Sequence, residues 1–145
     1  VGRGAGYTVN LPVFKQMEDA DVVHIYRDVL VPVVRKYKPQ LILVAAGFDA
    51  HHRDPLGRTR LTEHSFRWLT QIVLQTADAV KRAPILLALE GGYDNYALAA
   101  SVREVLKVLT TKERRERIPL TRTVQAEQLV DKVINVHREF GIWTD

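Results

Sequence analysis

Leu41-Ile42-Leu43-Val44-Ala45-Ala46 is apolar at odd and even positions alike. A strand covered on one face alternates between apolar and polar. This run therefore reads as a strand buried on both faces of a parallel sheet. Ile85-Leu86-Leu87-Ala88-Leu89 repeats the pattern after Pro84 ends the preceding turn. Between the two, residues 62–82 carry helical periodicity, with Thr62 placed as the N-cap. Strand, helix and strand in this order imply a right-handed crossover between parallel neighbours. Upstream, Val22, Ile25, Tyr26, Val29, Val33 and Val34 recur at three and four and predict a helix over 21–37, which Pro32 should kink or divide. Residues 8–11 read as a short strand closed by Pro12. Downstream, residues 96–109 and 124–140 read as amphipathic helices. The sum is an α/β chain with a parallel sheet and helices on both of its faces.

The composition is that of one folded domain: 145 residues, 46% hydrophobic, 26% charged, with 21 basic and 17 acidic side chains. There is no cysteine, which excludes a disulfide scaffold, a thiolate zinc site and a cysteine nucleophile, and fits a reducing, cytoplasmic setting. The longest apolar run is the first strand, far below the roughly 20 residues a membrane span requires. The net charge of +4 is spread thinly. Its one concentration, Lys112-Glu113-Arg114-Arg115-Glu116-Arg117, mixes both signs and carries no aromatics. It reads as a solvated linker, not a nucleic-acid footprint. The chain thus divides into a motif-bearing part (1–109), a charged linker (110–122) and a C-terminal helical part (123–145).

Ligands of parallel sheets bind beyond the carboxyl ends of the strands. Two loops lie there, 47–60 and 90–95. The first holds Asp49, His51, His52 and Asp54. Carboxylates with imidazoles suit a divalent metal such as zinc. Equally, the carboxylates can cap loop amides while the histidines stay solvated, and spacing does not choose. In the second loop, Gly91-Gly92 lets the backbone pass close to a ligand. Tyr93 follows, either as a phenol that donates to a developing oxyanion or as an aromatic packed at a strand end. Glu90 reads as a structural acceptor. His24, His64 and His137 read as surface or partly buried groups, and Trp68 and Trp143 as packing anchors. The glycines at 2, 4 and 6 lack the spacing of a dinucleotide loop and precede a strand rather than follow one. No phosphate-binding P-loop is present, and Ser65 and Ser101 sit in no nucleophile elbow.

Three segments together resemble the histone deacetylase superfamily, which includes bacterial acetylpolyamine amidohydrolases and acetoin-utilisation proteins. They are Gly4-Ala5-Gly6-Tyr7-Thr8-Val9-Asn10-Leu11-Pro12, the stretch PQLILVAAGFDAHHRDPLG from Pro39, and Leu89-Glu90-Gly91-Gly92-Tyr93. Their wording is closer to the class II and bacterial branch than to class I. The resemblance implies a three-layer α/β/α fold of the arginase/deacetylase type, present in part, and hydrolysis of an acetylated amine or lysine. It implies a zinc ion held by two aspartates and a histidine, paired histidines for proton transfer, and a tyrosine on the oxyanion. Asp54 matches the second aspartate ligand and Tyr93 the oxyanion tyrosine. Gly91 and Gly92 match the loop lining the substrate channel, and Asp49 matches a supporting aspartate. His51 and His52 do not match the catalytic pair.

That pair and the family's Asp-x-His zinc motif match nothing in these 145 residues, and the chain opens at Val1 without a methionine. The expectation is a C-terminal part, inactive by itself, that needs an N-terminal half. The alternative is a non-catalytic half that self-associates or pairs with another chain through the sheet surface it exposes.

Overall fold

In a computed structural model, residues 2–111 and 117–143 are described. Residues 112–116, most of the expected charged linker's core, lie outside them. The elements run α1 (Asp19–Ile25), a π-helical turn (Tyr26–Leu30), α2 (Val31–Tyr37), β1 (Ile42–Ala46), α3 (Glu63–Ala79), β2 (Ile85–Leu89), α4 (Asn95–Thr110) and α5 (Val124–Val136). No helix among the described residues is long and apolar enough to cross a membrane.

The two apolar runs pair in parallel, with Ile42 opposite Ile85 and Ala46 opposite Leu89. α3 makes the crossover. Thr62 caps it as expected, accepting the His64 N–H at 3.3 Å. Asp19, at the start of α1, in turn accepts the Thr62 N–H (2.8 Å), the Thr62 hydroxyl (2.6 Å) and the Ser65 hydroxyl. α3 stops at Ala79, short of the expected Arg82, because Lys81 and Arg82 take left-handed backbone angles (φ 65° and 55°) that turn the chain toward Pro84.

One face of the sheet is covered. Phe48, Phe66 and Val105 cluster with Ala46, Leu87, Leu98 and Val102, while Ala77, Val80 and Ala83 meet Val34, Ile42 and Ile85. The other face is open among the described residues: Leu41, Leu43 and Leu86 are 51%, 68% and 55% exposed. The reading of β1 as buried on both faces is therefore met on one face only. Side-chain chemistry specifies a second cover, since each fully buried leucine contributes about 1.5–3 kcal/mol, and the described residues do not provide it. The result is a partial α/β fold.

A second core joins α1 and the π turn to α5. Met17, Val22, Ile25, Val29 and Leu61 pack with Ala126, Leu129, Val130 and Val133, and Val9, Leu11 and Trp143 seal its edge. The break foreseen at Pro32 takes the form of the π turn. Proline has no N–H and its ring crowds the preceding carbonyls. The helix widens just before it, and the Val31 N–H reaches back five residues to the Tyr26 carbonyl. Residues 8–11 are not a strand. The segment has no neighbouring ladder among the described residues and crosses the end of α5 instead, where Nε2 of His137 meets the Thr8 carbonyl at 3.0 Å. His137 itself is buried, its Nδ1 2.9 Å from the Val133 carbonyl, which corrects its reading as a surface group. It ends α5 at Val136, before the expected Phe140, and a 3-10 turn (Arg138–Phe140) follows. His24 is also fully buried, with Nε2 3.1 Å from Asp28 Oδ2. Trp143 is the anchor expected, its indole N–H donating to the Asp28 carbonyl at 3.1 Å.

Candidate functional site

The sheet ladder continues into both loops. The Glu90 N–H donates to the Ala46 carbonyl (3.1 Å) and the Phe48 N–H to the Gly91 carbonyl (2.9 Å). Loops 47–60 and 90–94 therefore leave the sheet side by side. In the first, the chain folds back at His51, whose carbonyl accepts the Asp54 N–H at 2.9 Å. Asp54 is buried, and its carboxylate gathers three backbone amides. Oδ1 accepts from Leu56 (2.9 Å) and Gly57 (3.2 Å), and Oδ2 accepts from Tyr93 (2.7 Å) in the second loop. Burial pushes the Asp54 carboxyl up, but the amides of Tyr93, Leu56, Gly57 and Asp94 outweigh it and hold the group below the usual aspartate range. Asp54 is thus an anion at neutral pH.

Glycine is required where the loops touch. A Cβ at Gly57 would stand 2.1 Å from the Asp49 carbonyl oxygen, and one at Gly91 would stand 2.9 Å from Asp49 Cγ. The Asp49 carboxylate thus lies against the second loop. Gly92 has φ +133°, an angle that other residues rarely adopt, and a Cβ there would stand 2.9 Å from Leu98 Cδ1 and 3.2 Å from Phe48 Cβ. Tyr93 follows and is 59% exposed, so it is not a packed strand-end aromatic. Asp94 caps α4 by accepting the Ala97 N–H at 2.7 Å. It also pairs with Arg53 at 3.7 Å, which lies 5.9 Å from the centre of the Tyr96 ring.

Two histidines stack at the base of this arrangement, 4.4 Å apart. His52 is exposed, but His51 is buried, against the reading of both as solvated. Its Nδ1 accepts the Arg53 N–H at 3.2 Å, and its Nε2 approaches Glu63 Oε2 at 3.5 Å. Of the two readings of the loop, amide capping describes Asp54 as the structure has it. A self-sufficient metal cluster does not form: among the described residues no three His, Asp or Glu side chains come together to hold an ion. Asp54 fits as a single carboxylate ligand, no more. Sequence reasoning brought Asp54 and Tyr93 to the same end of the sheet. It did not find the bond between them, nor the roles of His51 and Glu63.

The family model for the histone deacetylase domain matches residues 1–109. The chain belongs to the histone deacetylase family. Histone deacetylase HDA1 of Candida albicans is 31% identical over 140 residues, covering 96% of this chain and 16% of that one. A histone deacetylase-like amidohydrolase of Pseudomonas aeruginosa is 29% identical over 126 residues, covering 87% of this chain and 33% of its own. Among solved structures, the HD domain of HDA15 superposes with a TM-score of 0.81 at 30% identity, over 97% of this chain and 37% of that one. The fold is accordingly a portion of the arginase/deacetylase arrangement. This histone deacetylase segment spans between about a sixth and a third of the two curated relatives' lengths.

Proposed function

We propose that these residues are the C-terminal part of the catalytic domain of a zinc-dependent deacetylase acting on acetyl-lysine or acetylpolyamine-type amides. One observation carries this reading: the Asp54 carboxylate and the Tyr93 amide share a 2.7 Å hydrogen bond. It ties the position that family likeness gives to zinc to the position it gives to the oxyanion donor. Zinc, when bound, polarises the substrate carbonyl and activates water. Asp54 would supply one of its ligands; the others, with the proton-transferring histidines, come from outside these residues. Tyr93 donates its phenolic proton in a hydrogen bond to the tetrahedral oxyanion. Gly91 and Gly92 keep the channel wall thin beside it, and Asp49 backs that wall. The isolated chain is inactive, and the lack of cysteine agrees with work in the cytoplasm.

The test is an acetyl-lysine and acetylpolyamine hydrolysis assay on the longer protein or reconstituted pair that contains these residues. Tyr93→Phe should lower kcat about a hundredfold, and Asp54→Ala should abolish turnover together with bound zinc. Wild-type kinetics in both variants would overturn the assignment.

The open sheet face favours a second reading, in which the chain serves as a half that pairs with another chain or with itself. Size-exclusion chromatography with light scattering should then show an oligomer that Leu43→Lys with Leu86→Lys disperses. A wild-type monomer counts against it.

A further inference from the structure

His51 belongs to neither the metal position nor the oxyanion position, yet it is buried to 2% exposure and bonded to Asp54. Its contacts form a continuous line across the site. At one end, Nε2 faces Glu63, the first residue of α3. Glu63 is held below the ordinary glutamate range, first by its own backbone N–H and then, against burial, by His51. In the middle, Nδ1 accepts the Arg53 N–H. Only an unprotonated Nδ1 can accept, so the ring proton of the neutral imidazole sits on Nε2, toward Glu63. The His51 carbonyl then accepts the Asp54 N–H, and the Asp54 carboxylate accepts the Tyr93 N–H.

We propose that His51 is a positioning residue: its ring nitrogen closes the 51–54 turn, which aims the Asp54 carboxylate and, through it, seats Tyr93. An acceptor atom on residue i that takes the N–H of residue i+2 is the geometry of an Asx turn. Here an imidazole performs it, and the neighbouring His52 ring stacks on its face. The catalytic consequence rests on the deacetylase reading; the positioning itself does not.

The geometry specifies which replacement restores function. Asparagine places Oδ1 where Nδ1 lies and keeps the turn, but is too short to reach Glu63. Glutamine keeps a donor toward Glu63 and loses the turn acceptor. In the full 145-residue chain, backbone-amide exchange at Tyr93 reads the outcome, with Asp54→Asn calibrating the signal of a loosened contact. His51→Gln should exchange about tenfold faster at Tyr93, and His51→Asn within about twofold of wild type. In the assembled enzyme the zinc dissociation constant should rise about tenfold for His51→Gln and stay near wild type for His51→Asn. Equal exchange in the two variants, or protection kept by Gln and lost by Asn, overturns the proposal. Either result leaves the deacetylase reading standing. Wild-type turnover in both Tyr93→Phe and Asp54→Ala would sink that reading and leave the exchange rates of the His51 variants unaffected.

Discussion

The two loops at the carboxyl end of the sheet are held in opposite ways. Loop 47–60 is fixed by its own side chains. Asp54 gathers the Leu56 and Gly57 amides, His51 takes the Arg53 amide, and the Thr59 hydroxyl donates to the Ala50 carbonyl. Loop 90–94 has two glycines, an exposed tyrosine and few polar contacts of its own. It is seated by what reaches it from the first loop: the Asp54 carboxylate on the Tyr93 amide and the Asp49 carboxylate against Gly91. The longer loop is the template and the shorter one the copy. Damage to the template should therefore spread to Tyr93, while damage to the copy should stay local.

The severest test is Gly57→Ala, which forces a methyl group into the Asp49 carbonyl. We expect a loss of about 3 kcal/mol, read by urea unfolding, with the Tyr93 amide deprotected although it lies in the other loop. Next comes Asp54→Ala, which leaves amides in both loops without an acceptor. It should cost about 2–3 kcal/mol in the same measurement.

The pH dependence of Asp54 follows from its sign. A carboxyl held below its unfolded value of about 3.9 contributes stability above that pH and loses it as pH falls through the folded value. The stability gap between wild type and Asp54→Asn should thus be constant from pH 7 to about pH 5 and shrink below pH 4. A gap that widened on acidification would contradict the hydrogen-bonded anion.

Smaller still is Gly92→Ala, which strains a positive φ in the short loop. It should cost about 1 kcal/mol and leave the Leu56 and Gly57 amides protected. Deprotection there would mean that the second loop also organises the first. The smallest effect on stability is that of Tyr93→Phe, within about 0.5 kcal/mol, because the side chain is largely solvated.

Much of the fold was legible because it is written in local chemistry. β1 and β2 lie within a residue of the apolar runs, and Thr62 stands at the start of α3, where a short polar side chain caps a free amide. The failures depend on partners distant in sequence. Thr8 and His137 meet across the whole chain, so neither the missing strand nor the buried imidazole leaves a mark on its own neighbours. The same holds for the site. Motif wording indicated Asp54 and Tyr93 separately, but the bond between them spans 39 residues and depends on the strand register. The acceptor role of His51, neither a metal ligand nor a solvated group, belongs to one ring nitrogen in one turn, which composition does not encode.

The π turn ahead of Pro32 has a further effect. A regular helix advances about 100° per residue, so a turn carrying one residue more than its neighbours shifts the phase of everything after it. Before the shift, Val22 and Ile25 address α5; after it, Val34 addresses the foot of the sheet. The turn works as a vernier between two cores that a uniform rod would meet out of step. Deleting one residue from Tyr26–Leu30 would take out the extra residue and let the rod close as a regular α-helix with Val34 still facing Ile42 and Ile85, whereas the same deletion within α1 would turn the helix that follows by about 100°.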